Sequence, residues 1–331
     1  MIVILYLPAF PLSIDRELWY NDLTKALGRD DMRQLYYTAV DTDTGRAIRD
    51  IVPRRFHLGA HAFRRLKVLG GILIDGVPVR ASYRVKVGET IEIRLPDDDA
   101  GETAFSGGEI SGPPSFIRYQ DEDLLIIAKG APLATLPGTH IKTGTLREQL
   151  IAMLGADERT FIYHPVNRLD KGTSGLLVVA RHAHSQYLLS GQLHSGGFIR
   201  EYLAVTEGIP KAPEGTIDAP IAKEGDGAKR CIRADGKSAV THYRVERTAG
   251  NRALIRLRLE TGRTHQIRVH LSSIGCPIAG DYLYSSELEA LGGRFALHSA
   301  YLSIVQPITG QRIEMEEPLP EDLAALLCIE E

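Results

Sequence analysis

Within the stretch His164-Pro165-Val166-Asn167-Arg168-Leu169-Asp170-Lys171, an arginine, an aspartate and a lysine fall inside four positions. The turn Gly172-Thr173-Ser174-Gly175 follows, and then the unbroken apolar run Leu176–Ala180. That order describes a charged loop entering a buried strand, and such loops carry sites. An aspartate is ionised at pH 7, so Asp170 is a poor proton donor. It is suited to act as a nucleophile, a base or the electrostatic partner of a cationic, sugar-like transition state. The bland alternative is an ordinary turn in which Asp170 caps a backbone amide and both cations face water.

A second constellation, Thr261-Gly262-Arg263-Thr264-His265-Gln266-Ile267-Arg268-Val269-His270-Leu271, packs two Arg, two His, a Gln and two Thr into eleven positions. It opens like a capped helix and offers the donors that phosphates and base edges require. The turn-rich Ile274–Tyr282 and the run Arg294-Phe295-Ala296-Leu297-His298-Ser299 follow it. A zinc site is not expected, because His265 and His270 are five apart rather than four and Gln266 stands where a catalytic glutamate would. Ser174 lacks the frame of a nucleophile elbow, and Lys171 precedes its glycine instead of following it as in a phosphate loop.

The elements that must position these residues come from a chain of 331 residues, 44% hydrophobic and 24% charged. That length suits one domain of about 200 to 220 residues with a smaller attachment. Residues 1–31 fit neither part by pattern and are read as an extension. Residues 32–94 form a small module that is strongly basic although the whole chain has a formal charge of −3. Between Thr44 and Arg94 stand eleven Lys/Arg against four acids, an excess that calls for an anionic partner.

Ile48, Ile51 and Val52, then Phe63, Leu66 and Leu69, recur at helical spacing, so two short helices carry the cations Arg54, Arg55, Arg64, Arg65 and Lys67. Asp75-Gly76 between apolar runs predicts a hairpin, and Val85–Ile93 a further alternating strand. Residues 95–114, acidic and rich in Gly and Pro, read as a linker. Residues 115–331 alternate buried strands (Leu124–Lys129, Leu176–Ala180) with helices over Thr145–Leu154, with Thr145 as cap, and His182–Leu193. Glu201–Val205, Ala239–Val245 and Ala253–Glu260 read as strands.

Cys231, Cys276 and Cys328 are odd in number and widely spaced, which predicts a reduced, cytoplasmic protein. No apolar run approaches the roughly 18 residues of a membrane span, so no membrane partner is expected. A monomer is the expected state.

Asn167–Leu177, Glu201-Tyr202-Leu203-Ala204, Thr261–Leu271 and Leu297-His298-Ser299 together resemble the ordered motif set of RNA pseudouridine synthases of the RluA/RluD type. The basic module in front resembles the RNA-binding module of ribosomal small-subunit protein four. The resemblance implies an α+β fold: a large mixed, mostly antiparallel sheet with surrounding helices and a central catalytic cleft, preceded by a small α+β module. It implies Asp170 as the catalytic aspartate, Tyr202 as the ring that stacks on the target base and is placed to take the C5 proton, and Arg268 as the partner of the aspartate. Arg168 would enter the RNA stack that the target uridine vacates, and Leu297 would floor the base. Asn167, Arg263 and His265 would contact the RNA.

Two positions depart from the family pattern: Asn167 replaces a histidine, and Lys129-Gly130-Ala131-Pro132 replaces Lys-Pro-Ala-Gly. The implied reaction needs no cofactor or metal, and its substrate would be ribosomal RNA or transfer RNA. Two rival readings are a non-catalytic RNA-binding or ribosome-assembly factor and a glycosidase. The first would have lost Asp170, Tyr202 or Arg268, and the second wants a pair of carboxylates across one bond, for which the motifs offer only Asp281 beside Asp170.

Overall fold

The computed structural model describes residues 34–95, 116–138, 141–154 and 162–328. The readings of 1–31 as an extension and of the linker lie outside these residues, apart from Leu95, which is buried. The chain divides into two compact units, with the boundary between Pro96 and Asp97.

The first unit runs β1 (Gln34–Thr38), α1 (Ile48–Arg55), α2 (Ala60–Leu69), β2 (Ile72–Ile74), β3 (Val77–Pro78) and β4 (Thr90–Arg94). Its strands form an antiparallel sheet in the order β1-β4-β2-β3. Asp75 and Gly76 both have positive φ, which is the backbone a two-residue hairpin turn demands, and the expected hairpin is β2–β3. The strand expected over Val85–Ile93 is confined to β4. Gly88 at φ +84° turns the chain, and Val85 N–H is spent on Arg46 O, outside the ladder.

Ile48, Ile51, Val52 and Leu66 are buried, but Leu69 is 61% exposed at the last position of α2, just before the left-handed Gly70. The helical spacing therefore overstated the apolar face by one turn. Arg55 is a second correction. Its guanidinium lies 3.4 Å from the fully buried Asp43 and 4.8 Å from the Tyr37 ring centroid, so it neutralises an internal carboxylate. Arg54, Arg64 and Lys67 are exposed and Arg65 is half-buried.

The second unit contains β5 (Ile117–Gln120), β6 (Leu124–Lys129), α3 (Leu146–Leu154), β7 (His164–Pro165), β8 (Ser174–Ala180), α4 (Ala183–Ser195), β9 (Ile199–Glu207) and β10 (Glu214–Asp218). It continues through β11 (Ile221–Lys223), β12 (Arg230–Ile232), β13 (Val240–Ala249), β14 (Arg252–Leu259), α5 (Gln266–Ser273), β15 (Leu297–Val305), β16 (Arg312–Glu316) and α6 (Glu321–Ala325). Ten of these strands form one sheet, ordered β10-β13-β14-β9-β15-β8-β6-β5, with β16 on β15 and β7 on β8. Every pairing is antiparallel except β15 with β8. This is the expected α+β architecture.

β6 and β8 are adjacent interior strands of the sheet, covered on both faces, which is why their sequences are continuous apolar runs rather than alternating ones. Leu125, Ile127, Leu177 and Val179 face one core with Tyr202, Leu257, Ile267, Phe295 and Leu297. Leu124, Ile126, Leu176 and Val178 face the other with Leu189, Phe198, Leu302 and Ile304. β14 instead alternates, and its outward Arg256 bridges Glu246 and Glu201 on the neighbouring strands. Thr145 does not cap α3: its hydroxyl is buried without a partner, and the Glu148 carboxylate accepts from the Gly144 and Thr145 amides.

Candidate active site

The loop between β7 and β8 carries Asp170, and two glycines decide how closely that loop can approach the sheet. A Cβ on Gly172 would sit 2.5 Å from the Phe295 ring. At Gly175, φ is +103° and a Cβ would sit 2.2 Å from Ser299 O, so both steric room and backbone angle exclude a side chain. The loop is held from the other side as well. The buried Thr135 hydroxyl donates to Leu169 O at 2.8 Å and accepts from Leu169 N–H at 3.3 Å, and Leu133 N–H donates to Lys171 O at 2.9 Å.

Asp170 projects from this braced loop with its side chain one-third exposed, and its Oδ2 accepts from Arg268 Nη1 at 3.0 Å. Arg268 is 2% exposed. Its remaining edge makes a two-pronged contact with the fully buried Asp281, Nε to Oδ2 at 2.7 Å and Nη2 to Oδ1 at 2.8 Å. The guanidinium also lies 4.3 Å from the Phe295 ring centroid and 5.1 Å from that of Tyr284. Burial opposes the charge on Arg268, but Asp281 and Asp170 outweigh it and raise its pKa, so the guanidinium stays protonated. Arg268 is thus anchored by one carboxylate and presents its free edge to another.

Tyr202 on β9 is buried opposite Ser299 of β15 and belongs to the same apolar cluster as Leu297. Burial raises the pKa of its hydroxyl, and the nearby Asp170 adds to the rise. The phenol therefore stays protonated, which suits a stacking surface better than a base.

His265 ends its loop in a left-handed conformation, φ +57°, with Nε2 3.8 Å from Asp170 Oδ2 and Nδ1 3.0 Å from the Tyr284 hydroxyl. Burial lowers its pKa against the pull of Asp170, leaving a neutral imidazole beside the carboxylate. The helix expected from Thr261 starts only at Gln266. Gln266 Oε1 accepts from Arg263 N–H and the Thr261 hydroxyl, and its amide donates to Val240 O and the Thr241 hydroxyl. Four satisfied bonds on one buried amide fix the loop that aims His265 and Arg268. His270 turns away, engaging the Thr241 hydroxyl and Ala219 O.

Asp170, His265, Arg268, Tyr202 and Leu297 are the sequence-derived candidates that the fold gathers. Arg168 is exposed on the same loop, and Arg263 is exposed with Nε donating to Ser238 O at 3.0 Å. Asn167 is a correction. It is 6% exposed and its Oδ1 accepts from Val178 N–H at 2.9 Å, so it staples the loop to β8 from inside rather than facing RNA.

Three contributors lay in or beside the motifs without being assigned a role: Asp281, Phe295 and Lys129. Asp281 could have been sought on charge grounds, since a buried arginine needs acceptors for both edges. Lys129, 2% exposed, donates to Gly130 O at 2.9 Å and Leu133 O at 2.7 Å, and burial lowers its pKa to about 7 despite the opposing charge of Asp170. The folded protein gives up this proton near pH 7, whereas the unfolded chain holds it up to about 10.5. Between those values the unfolded state binds more protons, so stability rises with pH across that window. Lys129→Met is expected to remove this part of the rise, read as the difference in urea midpoints between variant and wild type at successive pH values.

The fold of the second unit has counterparts among solved structures of one enzyme class. It is similar to Human RNA Pseudouridylate Synthase Domain Containing 4, with TM-score 0.51 and 26% identity over 63% of this chain and 90% of that one. Human RNA Pseudouridylate Synthase Domain Containing 1 matches at TM-score 0.50 and 25% identity, over 62% and 86% of the two chains.

Residues 123–273 match the family described as RNA pseudouridylate synthase. RNA pseudouridine synthase YjbO of Bacillus subtilis, itself called uncharacterized, is 35% identical over 78% of this chain and 90% of its own. Ribosomal large subunit pseudouridine synthase D of Haemophilus influenzae is 38% identical over 74% and 78%. The chain belongs to the RNA pseudouridylate synthase family, in its RluA/RluD-type branch, and is an isomerase that acts on RNA.

Proposed function

We propose that this enzyme converts specific uridines of large-subunit ribosomal RNA to pseudouridine, with Asp170 as the reacting carboxylate. The observation that carries the residue assignment is the Arg268 bridge, 3.0 Å from Asp170 and anchored behind by Asp281. The reaction breaks the bond from N1 of uracil to the ribose, rotates the base and joins C5 to the same ribose carbon. Asp170 either attacks that carbon or removes the 2′ hydrogen to give a glycal. In both routes it must be ionised up to the step in which it reacts, with RNA covering the site, and an ionised carboxylate taken out of water needs a partner, which is the work of Arg268. Tyr202 stacks on the uracil, Leu297 floors it, and His265 and Arg263 contact the strand.

The ribosomal substrate is supported by relatives named for the large subunit, among them those of Haemophilus influenzae and Pseudomonas aeruginosa; transfer RNA is the second candidate. The chain works as a monomer in the cytoplasm, where Cys231, Cys276 and Cys328 remain free thiols. Mapping pseudouridines in total RNA from cells with and without the gene tests the substrate. Sites lost from large-subunit ribosomal RNA support it, loss confined to transfer RNA replaces it, and no lost site leaves the chain a non-catalytic RNA-binding factor.

A uridine in folded RNA must leave its stack at a cost of a few kcal/mol, and the exposed Arg168 fills the gap. Arg168→Ala is then expected to slow modification of a structured stem-loop far more than that of an unstructured strand. Equal slowing on both would reduce Arg168 to a phosphate contact.

The first unit binds RNA through the exposed Arg54, Arg64 and Lys67, with Arg65 at their edge. Arg55, engaged by Asp43, is left out of this surface. Replacing Arg54, Arg64 and Lys67 by alanine should flatten the dependence of log K on log salt by roughly 0.7 to 0.9 per lost phosphate contact. An unchanged slope would show that these cations face only water.

A further inference from the structure

Three arginines among the described residues are nine-tenths or more buried: Arg200, Arg268 and Arg294. Arg268 is held by Asp281 and Asp170, and Arg294 by Asp322 at 3.0 Å. Arg200, at 9% exposure, has no carboxylate within ion-pairing distance among the described residues, and its Nε is buried without a hydrogen-bond partner. The neighbouring Glu201 is engaged elsewhere, with Arg256 at 3.2 Å. A cation withdrawn from water this far is costly unless an anion answers it. The described residues supply none.

The surroundings show where an anion would enter. Arg200 lies two residues before Tyr202 on β9, and its charge is felt at the Tyr202 hydroxyl. Its Cζ lies 5.6 Å from the Phe198 ring centroid, within reach of a cation–π contact. A second neighbour of the guanidinium is Gly262, in the loop that leads to His265 and Arg268. A Cβ there would fall 3.4 Å from Arg200 Nη1 and 3.9 Å from Nη2, so the absent side chain leaves that edge uncovered.

We infer that Arg200, over the opening left by Gly262, binds a backbone phosphodiester of the RNA next to the uridine held at Tyr202. A planar guanidinium offers two parallel N–H donors that match the non-bridging oxygens of a phosphodiester, a fit that a lysine ammonium lacks. The phosphate neutralises a charge that the free protein leaves unanswered, so binding energy is concentrated beside the reacting nucleotide. This inference rests on the reading that the uridine is held at Tyr202.

The test uses the full-length enzyme and a synthetic stem-loop bearing a uridine located by pseudouridine mapping. Two derivatives carry an uncharged methylphosphonate at the linkage 5′ or 3′ of that uridine. One derivative is expected to bind the wild type at least tenfold more weakly than the native stem-loop, while Arg200→Met binds it and the native stem-loop alike. Such non-additivity identifies a direct pair. Arg200→Lys should keep the salt slope of binding but lose the affinity of the two-pronged contact.

Gly262→Asp provides the second variant, which retains Arg200 and offers it an internal carboxylate. It too should become insensitive to the neutral linkage, so the inference stays testable if Arg200→Met fails to fold. If both neutral linkages weaken Arg200→Met and Gly262→Asp as much as the wild type, Arg200 does not bind phosphate and the inference is overturned. A wild type that neither binds nor converts the native stem-loop would instead overturn the underlying reading of the site.

Discussion

Asp170→Asn is expected to bring pseudouridine formation below detection while leaving the fold and the affinity for substrate RNA near wild type. The amide keeps the size of the carboxylate and can still accept from Arg268 Nη1, but it can neither attack a ribose carbon nor hold an abstracted proton. Stability should change little, because the Asp170 side chain is one-third exposed and Arg268 retains its two bonds to the fully buried Asp281. The measurements are a gel-shift titration and pseudouridine detection on the same RNA. Turnover at the wild-type rate would remove Asp170 from the chemistry. Loss of affinity together with turnover would make it a binding residue instead.

Asp281→Ala should have the opposite signature, a large loss of stability. It strips Arg268 of the two-pronged partner that fixes its orientation and leaves a guanidinium with 2% exposure tied to Asp170 alone. Breaking a buried pair by removing one member costs about 3 to 5 kcal/mol, a large share of the stability of an ordinary domain. The freed guanidinium is also no longer aimed, so residual activity in folded protein should fall as well. Urea unfolding of Asp281→Ala beside Asp170→Asn separates the two carboxylates: a low midpoint for the first and a near wild-type midpoint for the second. Equal midpoints would mean that Asp281 is dispensable as an anchor and that Phe295 and Tyr284 suffice to hold Arg268.

The contrast between these two aspartates marks how far residue order alone reaches. Asp170 was legible because the local pattern is strong: charges, a glycine turn and an apolar run occupy consecutive positions. Asp281 stands out in sequence only as the one acid of the motifs that accompanies Asp170, and nothing local shows that it is fully buried. Its role follows from Arg268 lying 13 residues away in the chain and 2.7 Å away in space. The central strands were legible for the same reason as Asp170, since a strand covered on both faces must be apolar throughout.

Chain ends of elements and the fates of individual polar groups were not legible, because they depend on which donor or acceptor happens to be closest after packing. Glu148 rather than Thr145 takes the amides at the start of α3, and Gln266 rather than a cap holds the loop before α5. Asn167, from the family motif, and Arg55, from the helical pattern, were expected to contact RNA, but a buried strand amide and a buried Asp43 claimed them. Sequence thus singled out Asp170 and the apolar strands that carry it, which are contiguous signals, and the family motif singled out Arg268, which the fold places 3.0 Å from Asp170. Tertiary structure alone decided which buried charges are answered and which, like Arg200, are left open, because the cost of a buried charge is set by neighbours that the chain brings from far away.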